Sequence, residues 1–234
     1  MKTHLVRIAE LVFQNGETCL RLESKSSLPA SAGQFLQAYT VERKELLPLT
    51  LHPCGKESDA LLFNGAIPKR WLPGDELHVR GPRGNGFHFP PLARRIALTT
   101  LDQISVNRLL PLADRALNNG AEVTLLTNTT VSELAPQIEV LPLSDLNQIK
   151  AWADYLAACL PTSRVAHLHQ ALELPPGKAM PFPAEVMLDL PLICNETSAC
   201  GVCSVFTVKG WKLGCKDGPV FSLDDLPIEV VPHG

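Results

Sequence analysis

The segment 194-CNETSACGVCSVFTVKGWKLGCKDGPVF-221 contains four of the seven cysteines of this 234-residue chain. Their spacing is C-x5-C-x2-C-x11-C. A [2Fe–2S] cluster needs four thiolates, and plant-type ferredoxins place three on one loop and the fourth farther along the chain. Small and polar residues between the first two cysteines suit a loop whose backbone N–H groups point at the cluster sulfurs. The spacing therefore predicts that a [2Fe–2S] cluster is bound by Cys194, Cys200, Cys203 and Cys215.

The residues after Cys203 favour a β-hairpin that turns at Lys209-Gly210 and brings Cys215 back to the other cysteines. A structural zinc site also accepts four thiolates and is the alternative metal site. Its ligands usually come as two short-spaced pairs, whereas this segment holds only one such pair. The three cysteines outside the segment are expected to be core thiols: Cys19, Cys54 and Cys159.

Upstream of this segment, the chain begins with six short β-rich runs between residues 3 and 89. Turn signals separate the runs, at Asn15-Gly16, Pro73-Gly74 and Gly81-Pro82. Six short strands at this spacing predict a small antiparallel β-barrel, which we assign to residues 1–92.

After residue 93 the pattern changes to a strand, a helix ending at Gly120 and a second strand, which is typical of an α/β unit. A second helix is predicted over 144–160, with Ser144 as its N-cap and Pro161 after its end. Residues 164–172 favour a third strand.

That third strand would carry His167 and His169 on one face, but no third metal ligand accompanies them. We assign 93–174 to a reduced α/β domain, and 175–234 to a proline-rich linker and the cluster domain. The predicted fold is therefore an α+β multidomain protein, with an antiparallel barrel, a reduced α/β domain and a small C-terminal [2Fe–2S] domain.

The composition excludes some functions. The formal charge is −3 and no run of Lys or Arg is longer than a pair, which argues against nucleic-acid binding. No apolar run is long enough for a signal peptide or a membrane-spanning helix, so we expect a cytoplasmic protein without membrane insertion. In a reducing compartment, clustered cysteines more often bind metals or carry redox chemistry than form structural disulfides.

The segments CNETSACGVC and CKDGPVF resemble the iron–sulfur segment of the electron-transfer subunit of bacterial dihydroorotate dehydrogenase, whose members carry C-x4-C-x2-C and then C-x-D-G-P-V-F. GQFLQAY at 33–39 and LPGDELHVRGPRGNGF at 72–87 are similar to motifs of the same family. The resemblance implies a barrel of the FAD-binding ferredoxin-reductase type, a nucleotide-binding α/β domain and a [2Fe–2S] domain. Five residues then become candidates for the FAD site: Thr50, Gly65, Gly84, Asn85 and Gly86.

Both nucleotide sites of that family are altered in this chain. Where relatives read R-R-P-I-S, residues 46–50 read LLPLT, and two leucines supply no cation for the FAD pyrophosphate. Relatives place a G-G-G-x-G run after the first α/β strand, whereas no glycine occurs here between His88 and Asn119. The later C-G-P motif is not found after the predicted third strand. We therefore expect no NAD binding, and FAD binding stays an open question.

A hydride carries two electrons and a [2Fe–2S] cluster accepts one, so a flavin normally stands between a nicotinamide and such a cluster. The main hypothesis is a non-catalytic iron–sulfur subunit that relays single electrons to or from a catalytic oxidoreductase partner in a hetero-oligomer. One alternative is a reductase subunit that contains FAD and [2Fe–2S] and uses NADH. A second alternative is a zinc-stabilised interaction protein.

Overall fold

The computed structural model describes residues 3–24, 30–42, 45–57, 60–175, 177–194 and 200–228. Within these residues the chain forms a closed six-stranded barrel, a six-stranded mixed sheet and a two-stranded hairpin. No helix in the described part of the chain is long and apolar enough to cross a membrane.

The six predicted N-terminal runs are confirmed as the strands of the barrel. In chain order they are β1 (Thr3–Gln14), β2 (Glu17–Ser24), β3 (Phe35–Thr40), β4 (Leu49–Glu57), β5 (Ala60–Gly65) and β6 (Glu76–Arg83). They close in the order β1-β2-β5-β4-β3-β6, and every pairing is antiparallel. Aliphatic side chains from the strands and Trp71 form the core of the barrel, which includes Ile8, Leu20, Leu36, Leu51 and Leu77.

A buried carboxylate lies beside the barrel core. Oε1 of Glu45 accepts hydrogen bonds from Trp71 Nε1 at 3.0 Å and from Arg70 Nη2 at 2.9 Å. Oε2 accepts from the backbone N–H and the hydroxyl of Thr40, both at 2.8 Å. Burial alone raises the pKa of Glu45, but these hydrogen bonds outweigh burial and lower the pKa to about 2.

The second sheet follows the barrel. Its elements are β7 (Arg95–Thr100), a 3-10 turn (Val106–Leu109) continuing into α1 (Leu110–Asn118), β8 (Glu122–Leu126), β9 (Ile138–Leu141), β10 (Tyr155–Pro161), α2 (Val165–Ala171) and β11 (Ala184–Asp189). The chain then forms the hairpin strands β12 (Ser204–Thr207) and β13 (Gly210–Leu213) and returns to the sheet as β14 (Val220–Ser222). The strand order is β14-β11-β10-β7-β8-β9, in which only β14 is antiparallel to its neighbour. Side chains of α1 pack in one apolar cluster with this sheet and those of α2 in another.

The predicted helix over 144–160 is wrong. The chain forms a 3-10 helix over Leu143–Ala151, which begins after Pro142 and not at Ser144, and then the strand β10. Strand β10 pairs with β7 on one edge and β11 on the other, and its side chains pack alternately into the apolar cluster of α1 and that of α2, so both of its faces are buried. A strand buried on both faces has no alternating pattern, so its apolar residues were misread as the stripe of a helix.

The predicted strand over 164–172 is also wrong, because these residues form α2. Val165, Leu168 and Leu172 are buried at helical spacing in the same apolar cluster as β10. His167 and His169 therefore do not share the face of a strand. The ring of His169 is buried and its Nε2 lies 3.1 Å from the carbonyl oxygen of Leu226.

The proposed domain boundary near residue 175 falls inside the second sheet. Strand β11 pairs with β10, and β14 pairs with β11. The cysteine segment therefore lies between two paired strands of this sheet, and its two ends are held next to each other by the pair Met187 and Val220.

Candidate metal centre

Three of the four predicted ligands are buried together in one cluster. Cys194, Cys203 and Cys215 pack with Phe35 and Leu192, whereas Cys200 is exposed. The sulfur atoms of Cys194 and Cys215 are 3.5 Å apart. The thiol of Cys194 also interacts with that of Cys200, and the thiol of Cys203 interacts with those of Cys200 and Cys215. The structure therefore places Cys194 next to Cys215, with the thiols of Cys200 and Cys203 near enough to affect their ionisation.

The surroundings of these thiols disfavour their ionised forms. Burial, together with the neighbouring thiols Cys215 and Cys200, raises the pKa of Cys194 to about 11. Burial is also the largest reason why the pKa of Cys203 is raised. Buried thiolates need a positive partner, and a metal centre supplies one. The donor set thus fits an iron–sulfur cluster or a zinc ion in its chemistry.

The loop that joins the first two cysteines lies outside the described residues, at positions 195–199. These are the residues predicted to surround the cluster sulfurs. Among the residues that the structure describes, no three His, Cys, Asp or Glu side chains form a ready-made metal-binding group. The structural support for a metal centre is therefore the proximity of the cysteine thiols to one another.

The hairpin predicted between the third and fourth cysteines is confirmed. Strands β12 and β13 pair antiparallel from Ser204 with Leu213 to Thr207 with Gly210. Gly210 adopts a φ of +90°, which favours glycine, and the hydroxyl of Thr207 donates to its carbonyl at 2.7 Å. At the base of the hairpin, Gly214 N–H donates to Cys203 O at 2.9 Å. The hairpin thus returns Cys215 to Cys203.

Two polar residues of the barrel, the buried Gln37 and the partly buried Arg83, hold the other end of the cysteine segment. The amide nitrogen of Gln37, which is fully buried on β3, donates to the carbonyls of Leu192 at 2.8 Å and Cys194 at 3.1 Å. The amide oxygen of Gln37 accepts from Arg83 Nη1 at 2.7 Å. Arg83 Nη1 also donates to Cys194 O at 3.1 Å. The Arg83 guanidinium lies 5.8 Å from the ring centre of Phe35. Sequence reasoning missed both residues, although one glutamine within the buried strand FLQAYT was a signal.

Thr50 and Gly65, two of the predicted FAD-site residues, contact the chain itself. The hydroxyl of Thr50 donates to Leu192 O at 3.3 Å, so it too supports the cysteine segment. A Cβ at Gly65 would lie only 2.3 Å from the carbonyl oxygen of Thr50. The close approach of two barrel strands therefore explains this glycine.

The turn Gly84-Asn85-Gly86 binds the segment that follows Cys215. The backbone N–H of Asn85 donates to Gly218 O at 2.6 Å, and its side-chain amide donates to Asp217 O at 2.7 Å. A Cβ at Gly84 would lie 2.6 Å from Gly218 O, and one at Gly86 would lie 2.8 Å from a backbone oxygen of residue 32. All five predicted FAD-site residues are thus engaged by the protein, and two of them, Gly84 and Asn85, contact the D-G-P part of the cysteine segment.

Side chains fill the region where the related family has its glycine run. The hydroxyl of Ser105 accepts from the N–H of Asn107 at 3.2 Å and from the Asn64 amide of the barrel at 3.0 Å. Asn107 is fully buried, donates to Gln14 O at 2.9 Å and accepts from the Asn15 amide at 2.8 Å. The beginning of the first helical segment is therefore tied to the barrel by side chains.

The interface between barrel and sheet also contains an ion pair. Arg108 Nη1 lies 2.7 Å from a carboxylate oxygen of Asp189, at the end of β11. Burial, and then the charge of Arg108, hold the pKa of His52 well below its usual value. His52 lies two residues after Thr50 on β4, so this neutral imidazole and the ion pair occupy the interface close to the predicted FAD residue.

The carboxyl ends of β7 and β8 border a cleft of about 310 Å³. This is the edge at which sheets of this kind bind ligands. Arg164 lines the cleft and forms an ion pair with Asp102 at 2.8 Å. On the neighbouring strand β10, residues 159–161 read Cys-Leu-Pro, and Leu160 is fully buried.

No protein-family model matches the chain. It is 24% identical over 228 residues to the dihydroorotate dehydrogenase B (NAD(+)) electron transfer subunit of Clostridium acetobutylicum, which covers 88% of this chain and 90% of the relative. The subunit of the same name from Clostridium perfringens is 26% identical over 167 residues, 66% of this chain and 68% of the relative.

Two solved structures show the same fold. An NADH-dependent reduced ferredoxin-NADP oxidoreductase matches with a TM-score of 0.69 at 18% identity, over 94% of this chain and 88% of that chain. Phthalate dioxygenase reductase matches with a TM-score of 0.57 at 14% identity, over 91% and 94% of the two chains. The chain is therefore a homologue of the electron-transfer subunits of bacterial dihydroorotate dehydrogenase, built on a ferredoxin-reductase-like fold.

Proposed function

We propose that this chain is an electron-transfer subunit that binds a [2Fe–2S] cluster and relays single electrons to or from a catalytic oxidoreductase partner. The observation that carries the proposal is the convergence of four cysteine thiols, with one sulfur pair 3.5 Å apart, on a fold shared with electron-transfer subunits. The proposed ligands are Cys194, Cys200, Cys203 and Cys215. When bound, the cluster supplies one-electron redox chemistry.

The protein around the thiols holds the ligands and limits access of water. Gln37 and Arg83 fix the carbonyl of Cys194, and the hairpin fixes Cys203 next to Cys215. Three of the four thiols are buried, whereas Cys200 faces solvent. Electron transfer is therefore expected through the side of the centre on which Cys200 lies.

An apolar surface on and beside the hairpin supports a partner on that side. Val202, Val208 and Trp211 are 53, 63 and 58% exposed, and Phe206 contacts Trp211 with ring centres 5.4 Å apart. Exposed groups of this kind mark protein interaction sites. Lys212 and Lys216 also lie in this region, which favours a partner surface with an apolar centre and an acidic rim, whereas Lys209 is paired with Asp225 at 2.8 Å.

The proposal includes no NAD site in this chain. Three observations support the absence of an NAD site. Side chains such as that of Asn107 fill the region where relatives carry a glycine run, Leu160 is buried at the end of β10, and Arg164 is paired with Asp102. The five predicted FAD-site residues do not fit a flavin in this arrangement, because their polar groups and glycine surfaces face the chain itself. The second candidate, an NADH-dependent reductase subunit with FAD, is favoured by the names of the curated relatives.

The test is a joint analysis of the anaerobically purified protein for iron, acid-labile sulfide, zinc and flavin. We expect two irons and two sulfides per chain, a one-electron EPR signal after reduction with dithionite, and no bleaching on addition of NADH. Cys194→Ser or Cys215→Ser should lose the iron, whereas Cys159→Ser is the matched control and should keep it. Zinc without iron would overturn the cluster, and stoichiometric flavin that NADH reduces would establish the second candidate.

A further inference from the structure

Two cysteines outside the candidate metal centre are direct neighbours. Cys19 on β2 and Cys54 on β4 are both fully buried, and their sulfur atoms are 3.0 Å apart. That distance is only about 1 Å longer than a disulfide bond of about 2.05 Å. The two residues form a small buried cluster with Leu62 and Val12. The sequence predicts two unrelated core thiols, whereas the structure forms a dithiol pair.

The backbone of the barrel explains why these two side chains meet. Strands β2 and β4 are not hydrogen-bonded to each other, because β5 lies between them. In the pairing of β4 with β5, the register shifts between Pro53 and Gly55, so Cys54 is the extra residue of a β-bulge. A bulge redirects the side chain of its extra residue. The β-bulge is thus located at Cys54, whose side chain extends beyond β5 to contact Cys19.

We propose that Cys19 and Cys54 form a reversible dithiol/disulfide couple that ties β2 to β4 across β5. With a low-molecular-weight disulfide such as oxidised glutathione, one cysteine thiolate attacks the oxidant and forms a mixed disulfide, and the second cysteine then displaces the small thiol. Two S–H bonds of the protein are lost and one S–S bond forms. The two electrons and two protons pass to the oxidant, which leaves as two thiols.

Burial determines the rate of this reaction. The hydrogen bond with Cys19 and then burial raise the pKa of the Cys54 thiol, so the reactive thiolate is scarce in the closed barrel. Exchange therefore requires local opening of the barrel and is slow in both directions. Once formed, the disulfide closes a loop between residues 35 positions apart and restricts the unfolded chain, which stabilises the barrel.

The experiment uses the full chain with its native metal content. The protein is incubated anaerobically at defined ratios of reduced to oxidised glutathione until the thiol state stops changing. It is then quenched with acid, denatured, alkylated, digested and analysed by mass spectrometry. We expect a cross-linked peptide pair containing Cys19 and Cys54, 2 Da lighter than the two free thiol peptides. Cys159, a buried core thiol on β10, serves as the internal control and should be recovered alkylated.

Three variants and one stability measurement complete the test. Cys19→Ser and Cys54→Ser should each abolish the cross-link and leave the other cysteine alkylated, whereas Cys159→Ser should keep it. The oxidised protein should melt about 5–10 °C higher than the reduced protein, and dithiothreitol should reverse the shift. Full alkylation of both cysteines at every glutathione ratio would overturn the proposal, as would a cross-link that forms only in denaturant. A cross-link without a rise in melting temperature would refute the proposal that the disulfide stabilises the barrel by linking β2 to β4.

Discussion

Replacement of Gln37 by methionine tests whether the barrel holds the cysteine segment in place. Methionine has a similar length and fits a buried strand, but it cannot donate to the carbonyls of Leu192 and Cys194 or accept from Arg83. Each neutral hydrogen bond contributes about 0.5–1.5 kcal/mol, and the bond to the charged guanidinium contributes about 1.5–3 kcal/mol.

The expected loss is smaller than the sum of these bonds, because two partners keep another hydrogen bond. Leu192 O still accepts from Thr50, and Cys194 O still accepts from Arg83. We therefore expect Gln37→Met to destabilise the protein by about 3 kcal/mol. For a chain of this size that corresponds to a fall in melting temperature of about 6–12 °C.

The assay combines thermal unfolding with iron content after gel filtration. Gln37→Met should lower both, whereas Gln137→Met, an exposed glutamine before β9, should change neither. The double variant of Gln37→Met with Arg83→Met should lose less than the two single variants together, because they share one hydrogen bond. Unchanged melting temperature and full iron content in Gln37→Met would refute the role that we assign to this network.

Three further predictions concern the barrel and its contact with the second sheet. The folded pKa of Glu45 is about 2, below its ordinary value of 4.5. The ionised carboxylate therefore stabilises the fold fully above pH 4.5, and this stabilisation is lost as the pH falls from 4.5 toward 2. The difference in melting temperature between wild type and Glu45→Gln should thus be largest near pH 7 and shrink toward pH 2.5, and a constant difference would contradict the assignment. Gly65→Ala places a methyl group 2.3 Å from a backbone oxygen and should cost about 1–3 kcal/mol in urea unfolding. Gly55→Ala, whose Cβ has 3.6 Å to its nearest atom, is the control and should cost clearly less. Asn107→Leu leaves the Gln14 carbonyl without this donor and should cost about 1–3 kcal/mol, whereas the exposed Asn118→Leu should be nearly neutral; equal effects would refute the contact.

The barrel and the cysteine hairpin were predictable because their signals are local. Alternating apolar residues and turns such as Asn15-Gly16 define the antiparallel strands, and Asn15 and Gly16 do adopt the positive φ values of such a turn. The hairpin around Gly210 follows from the same kind of signal. In each case neighbouring residues in the sequence are also neighbours in the sheet.

The second sheet was harder to predict because its strands are buried by partners distant in sequence. Strand β10 was read as a helix, since burial on both faces removes the alternation that identifies a strand. Strands β11 and β14 were missed beside prolines and cysteines, and β14 has only three residues. Their pairing is decided by contacts such as that of Met187 with Val220, which no local pattern encodes.

In the candidate site, the cysteine spacing singled out thiols that lie near one another in the structure, whereas the glycines were assigned to a flavin on resemblance. A glycine pattern reports only that something approaches the backbone closely. At Gly84 the approaching group is the carbonyl of Gly218, and at Gly65 it is that of Thr50. The sequence alone cannot tell such a contact within the protein from a contact with a cofactor.

The pairing of β14 with β11 gives the second sheet a role independent of nucleotides. Both ends of the cysteine segment are anchored in that sheet, so a shortened protein that ends at Asp189 would lose an edge strand as well as four cysteines. A protein that has lost dinucleotide binding but still uses the four cysteines must therefore keep this sheet, because the sheet holds both ends of the cysteine segment in position. Persistence of such a domain in a descendant is consequently no sign that a nucleotide still binds there.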